Sequence, residues 1–214
     1  MNTKKLTTLA MLSAIAFVLA AFARVPIVLF LRYDPKDVVI AIGGFIFGPM
    51  AAFMITVVVS VVQMFTVSQT GFWGLIMNII ASSAFCCPAA YIYKKNRTLK
   101  GAVYGLIAGF FTATIAMMLW NYLVAPIYMG VPRAQVAELL LPAFLPFNLI
   151  KNGLNVAFTI LLYKHVKSAL GLANLLPPTT EQDSSVKFNF GIIAIMIFVV
   201  ITCVLWVLVL QDIF

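Results

Sequence analysis

The chain reads as long apolar runs separated by short polar or basic stretches, and the runs have lengths suited to crossing a bilayer as helices. A basic tail, Met1 to Lys5, leads into an apolar run over residues 6–23. Its end, Ala21-Phe22-Ala23, also suits a secretory signal, but a retained first helix is expected, because Ala10, Ala14, Ala16, Ala20 and Ala21 form a small-residue stripe that lets a neighbouring helix approach closely. Residues 24–37 form a charged, proline-containing loop in which Asp34 or Asp37 is expected to cap the next helix. The apolar stretch 38–65 is too long for one ordinary span. Gly43-Gly44 and then Gly48-Pro49 interrupt it, which predicts two short helices with a tight turn at Gly48-Pro49.

After a polar turn at 66–71, a fourth helix is expected from Phe72 to about Tyr93, with Asn78, Ser82 and Ser83 on or near one face. A basic loop, 94–100, precedes a fifth helix from Gly101 to about Ala125, which carries Trp120-Asn121-Tyr122 at interface depth. Residues 126–141, with Arg133 and Glu138, form a partly amphipathic connection suited to a lid. The sixth helix ends at Lys164-His165-Val166-Lys167. A polar linker and a seventh apolar run, Phe188 to Leu210, follow; the run is read as a lipid-facing anchor.

Composition agrees with this pattern: 64% hydrophobic against 9% charged residues makes a one-domain integral membrane protein. The net charge of +8 therefore reports orientation and not nucleic-acid binding. If 38–65 is a hairpin, Lys4, Lys5, Lys94, Lys95, Arg97, Lys100, Lys164, Lys167 and Lys187 share one side of the bilayer. Arg24, Arg32, Lys36 and Arg133 occupy the other, and nine against four fits an inside N-terminus. Cys86, Cys87 and Cys203 lie in apolar spans without metal-ligand spacing and read as packing residues.

The candidate chemistry lies in Pro146 to Asn155 of the sixth helix. At 100° per residue, Lys151, Asn155, Asn148 and Asn152 fall within about a 100° arc. A lysine near the bilayer centre costs about 2.5–3.5 kcal/mol on insertion scales, so this stripe must face protein or a water-filled pocket. It either glues helices together or lines a ligand site. No acidic residue lies within the long apolar runs to neutralise the lysine, and four donors without a counterion suit a neutral or weakly anionic ligand rich in carbonyl and ring-nitrogen acceptors.

No phosphate-binding loop, dinucleotide fingerprint, His-Glu-x-x-His pair or Gly-x-Ser-x-Gly elbow is present, and His165 is the one histidine. No catalytic, metal or cofactor site is expected. Without an embedded Asp or Glu to relay protons, a proton-driven transporter is disfavoured. A chain that binds from outside but has no visible driving device needs a powered partner.

Four segments carry a family likeness: Ala10-x-x-x-Ala14, the Tyr33–Asp37 loop leading to Phe45-Ile46-Phe47-Gly48-Pro49, the stretch around Asn78, and Asn148-Leu149-Ile150-Lys151. In order and spacing they resemble the substrate-binding (S) components of energy-coupling factor (ECF) transporters, specifically the riboflavin-specific members, over about residues 4–167. The resemblance implies an all-α six-helix membrane domain, residues 1–167. This domain captures riboflavin, the transported ligand, from outside and associates with a transmembrane coupling protein carrying two cytoplasmic ATPases. It places Asn121, Asn148 and Lys151 in the pocket with Asn78 a further contributor, the loop around Tyr33 and Asp34 closing above, and Ala10 and Ala14 against the coupling protein. The chain departs from the resemblance by a cytoplasmic linker, 168–187, and an extra seventh transmembrane helix, 188–214, which would leave the C-terminus outside.

Other readings stay open from the residues. They are an S component for another vitamin or precursor such as pantothenate or a folate, a small structural or assembly membrane protein with no ligand, and, third, an intramembrane enzyme, for which no activated nucleophile is visible.

Overall fold

A computed structural model describes residues 3–28, 31–68, 70–172 and 190–210. Helix α1 (Thr3–Phe22) is followed by a small antiparallel hairpin, β1 (Val25–Val28) and β2 (Leu31–Tyr33), in which Val25 faces Tyr33 and Pro26 faces Arg32. Then come α2 (Lys36–Phe47), α3 (Pro49–Thr66), α4 (Gly71–Lys95) and α5 (Leu99–Leu123). Two short helices, α6 (Ala125–Met129) and α7 (Arg133–Leu139), and a π-helical turn, Leu140–Phe144, lead into α8 (Leu145–Leu172). Helix α9 spans Phe190–Leu210. The hairpin occupies part of the stretch expected to be a plain loop. The expected linker, 168–187, is outside the described residues from 173 onward, and residues 168–172 continue α8 instead.

Among the described residues, five helical segments are long and apolar enough to cross a membrane, namely α1, α3, α4, α5 and the segment Arg133–Val166. Helix α2 is different. Its 12 residues rise only about 18 Å, well short of a hydrocarbon core of about 30 Å. Ten of the 12 are buried, because α1, α3, α4 and α8 all pack around it. The expected break falls at Gly48, whose φ of 94° is readily adopted by glycine, and Pro49 opens α3 where its missing N–H costs nothing. Asp34 and Asp37 do not cap α2. The residue before the helix is Pro35, with no side-chain capping bond, and Asp37 lies inside the first turn, engaged elsewhere.

Helices α4 and α5 approach closely. A Cβ at Gly105 would meet the backbone of Ala89, and one at Gly109 would collide with the carbonyl oxygen of Phe85. The Thr112 hydroxyl donates across the same seam to the Ala84 carbonyl at 2.6 Å. Lipid gives apolar helices little reason to associate, so small residues that bring backbones together, plus an interhelical hydrogen bond, supply the adhesion.

Helix α9 is not wholly lipid-facing, contrary to the anchor reading. Cys203, with Val199, Val200 and Val207, packs against Ile27 and Tyr33 of the hairpin and against Phe147, Ile150 and Leu154 of α8. Ile195, Phe198, Ile201, Leu205 and Trp206 remain exposed on its other side. The helix covers the back of α8, and the polar stripe faces the bundle.

Candidate functional site

Why a lysine is tolerated in α8 becomes clear from α2. Lys151 Nζ lies 3.3 Å from Asp37 Oδ2, so the lysine has an acidic partner, contrary to the expectation from the apolar runs. Asp37 Oδ1 accepts from the Ser82 hydroxyl at 2.5 Å, and Oδ2 also accepts from Asn155 Nδ2 at 3.4 Å. Asn155 Oδ1 in turn accepts from the Tyr33 hydroxyl at 3.1 Å. Burial, reinforced by the charges of Asp37 and Asp34, pushes the Tyr33 phenol well above its ordinary range and keeps it a donor.

The neighbouring residue makes a second cluster. Lys36, counted above among the outer loop charges, is buried, and its ammonium donates to Gln63 Oε1 at 2.9 Å and Asn78 Oδ1 at 2.6 Å. Asp34 Oδ2 lies 3.9 Å away from the same ammonium. The dipeptide Lys36-Asp37 thus ties α2 to α3, α4 and α8, with two acids matching two amines. A buried charge is tolerated when paired and hydrogen-bonded. Both conditions hold for Lys36 and Asp37, whereas Asp34 approaches Lys36 only at 3.9 Å and its Oδ1 has no hydrogen-bond partner among the described residues.

A cavity of about 300 Å³ opens beside these clusters. That volume is at the small end of the range for small-molecule sites. Asn148, Lys151 and Asn152 come from α8, Ala113, Met117 and Asn121 from α5, Met77, Asn78 and Ala81 from α4, and Asp34 and Asp37 from the hairpin end and α2. Apolar lining is completed by Leu31, Tyr128, Phe144 and Phe147, so the connection before α8, expected as a lid, contributes Tyr128 and Phe144. Burial raises the Tyr128 phenol as well.

Of the residues singled out from sequence, Asn78, Asn121, Asn148, Lys151 and Asp34 line this cavity. Tyr33 does not; its ring is buried beneath the hairpin, where it holds Asn155. Asn155, on the same stripe, is fully enclosed and serves the Asp37 cluster. Ala10 and Ala14 lie exposed on α1, far along the chain from this cavity's lining. Asp37, Lys36 and Gln63 were missed as site residues, whereas Asn152 belongs to the stripe singled out in α8 and lines the cavity. The available signal was the polar residues embedded in apolar segments, such as Gln63 in α3 and Ser82 in α4, each of which needs a partner at its own depth.

The cavity therefore mixes polar side chains from the hairpin, α2, α4, α5 and α8 with apolar ones, and the charges of Arg32, Lys151, Asp34 and Asp37 balance, a lining for an uncharged ring system bearing hydrogen-bonding groups. Residues 4–163 match the family described as ECF transporter, substrate-specific component. The chain belongs to this family. Among relatives, it is 32% identical over 203 residues to the riboflavin transporter FmnP of Bacillus subtilis (strain 168), covering 88% of this chain and all of that protein. It is 34% identical over 178 residues to the riboflavin transporter RibU of Staphylococcus aureus (strain TCH60), covering 79% of this chain and 93% of that one. A solved S component of a bacterial ECF transporter superposes with a TM-score of 0.66 at 33% identity, covering 78% of this chain and 97% of that structure. This S component is thus an all-α, multi-pass membrane protein of a transport family, and the family provides no enzyme activity.

Proposed function

We propose that this S component captures riboflavin at the outer side of the membrane and delivers it inward with an ECF energising module, a coupling protein with two cytoplasmic ATPases. The observation that carries the reading is a cavity of about 300 Å³ lined by Asn78, Asn121, Asn148 and Lys151 in a chain similar to proteins named riboflavin transporters. The flat ring would lie between Phe144, Phe147, Met77 and Met117, with its carbonyl and nitrogen edge toward the α8 amides and the lysine. The sugar-alcohol chain needs acceptors for its hydroxyls. Asp34 offers one, because its buried Oδ1 has no hydrogen-bond partner among the described residues.

Orientation follows from charge. With Lys36 buried, the basic residues left on the hairpin side are Arg24, Arg32 and Arg133, which favours that side as the outside. The exposed Ala10 and Ala14 face of α1 suits close approach by a helix of the coupling protein.

Riboflavin fluorescence should be quenched by the purified protein at sub-micromolar ligand, and its melting temperature should rise with ligand as binding to the folded state requires. No quenching at micromolar riboflavin would remove the reading. Because α9 contributes no residue to the cavity lining among the described residues, a chain ending after residue 187 is expected to bind riboflavin within about threefold of the full chain, a difference of about 0.7 kcal/mol. A larger loss in the same titration would make α9 part of the binding unit.

A further inference from the structure

Amide side chains present either a carbonyl or an NH2 group to a ligand, and at this site the choice is made by partners of one polarity only. The Lys36 ammonium can only donate, so Asn78 must turn Oδ1 toward it and keep Nδ2 for the cavity. The Phe144 carbonyl can only accept, so Asn148 turns Nδ2 toward it at 2.7 Å and keeps Oδ1. Asn152 is the subtler case. Its Nδ2 donates at 3.0 Å to the Thr114 hydroxyl, and that hydroxyl spends its single hydrogen on the Phe110 carbonyl at 2.7 Å. The Thr114 oxygen is thereby left able only to accept, which fixes the Asn152 amide with Oδ1 as its free polar atom.

Asn148 and Asn152 are one helical turn apart on α8, and both line the cavity. Two carbonyl acceptors side by side are an odd lining for a ligand presenting acceptors alone. They demand an N–H. Lys151, between them in sequence and also lining the cavity, has only hydrogens to offer, as does the free Nδ2 of Asn78. A ligand edge of carbonyl, N–H, carbonyl answers this alternation of donors and acceptors.

We propose that Asn152 is a specificity-determining residue, set by Thr114 as its positioning residue, whose carbonyl oxygen accepts the imide N–H of the ligand ring. The site then selects neutral heterocycles with that N–H and rejects forms alkylated at the same nitrogen. The inference rests on the riboflavin reading and names what that site recognises. It follows that Thr114, which does not itself line the cavity, controls selectivity from behind the amide.

The test is a fluorescence titration of the full chain with riboflavin and with riboflavin methylated at the imide nitrogen. Wild type should prefer riboflavin by about 30-fold or more, the scale of a buried acceptor left without its donor. Thr114→Val, nearly isosteric, should shrink that ratio to about fivefold or less by releasing the amide, and Thr114→Ser should restore it. Asn152→Leu should weaken riboflavin more than the methylated form. Equal affinity of wild type for both compounds, or a ratio unmoved by Thr114→Val and Asn152→Leu alike, overturns the proposal while leaving riboflavin capture intact. Failure of wild type to bind riboflavin overturns both.

Discussion

Lys151→Met should weaken riboflavin binding by about 30- to 150-fold and also destabilise the empty protein. The binding loss corresponds to the removal of charged donors, worth about 2–3 kcal/mol, from the cavity wall. The stability loss has a different origin, since methionine fills most of the lysine's volume but leaves Asp37 buried without its cation. Breaking such a pair costs about 3–5 kcal/mol, and the lower part of that range is expected because Ser82 and Asn155 still donate to the carboxylate. Adding Asp37→Asn to Lys151→Met should recover most of the lost melting temperature, because no buried charge remains unpaired, yet it should recover no riboflavin affinity. Thermal melting without ligand and a titration of the same two variants separate these effects. If the double variant melts no higher than Lys151→Met alone, the 3.3 Å pair is not what stabilises the lysine in α8.

Gly109→Leu is expected to cost more than about 3 kcal/mol and to abolish binding with it. The added side chain would be driven into the Phe85 carbonyl oxygen, part of the α4 backbone, which cannot swing aside as a flexible side chain would. The two helices would have to separate, losing the Thr112 to Ala84 hydrogen bond as well. That separation reaches the cavity, because α4 supplies Met77, Asn78 and Ala81 to one wall and α5 supplies Ala113, Met117 and Asn121 to the next. Gly109→Ala should fall between the two, with a melting temperature below wild type and weakened riboflavin quenching. A Gly109→Leu variant with wild-type melting and affinity would mean that the close approach of α4 and α5 is not needed.

Both results depend on features that differ in how readable they were from the chain. Helix positions followed from apolar run lengths, and the break at Gly48-Pro49 followed from backbone chemistry alone, since a proline and a glycine act on their own dihedrals. That α8 turns its Asn and Lys face inward was also legible, because lipid penalises a charge wherever the rest of the protein sits. The role of Asp37 was not. Two residues after Pro35 and at the start of an apolar run, it looks like a capping residue, and nothing local distinguishes a cap from a counterion. Lys36 is as ambiguous, since a lysine at the end of a charged loop reads as solvent-facing, and its burial is set by Gln63 of α3 and Asn78 of α4, which no local pattern reveals.

The amino-acid sequence by itself determined that this is a multi-pass helical membrane protein with an inward-facing polar stripe, since run length, periodicity and the cost of a charge in hydrocarbon are properties of each segment alone. Tertiary structure alone decided that Asp37 meets Lys151 and Asn155, the latter 118 positions away, and that α2 is a short buried helix at the centre of the bundle. The physical reason is that hydrogen-bonding range is a few ångströms. Which polar groups come within it depends on the order in which helices pack, and no single segment carries that order.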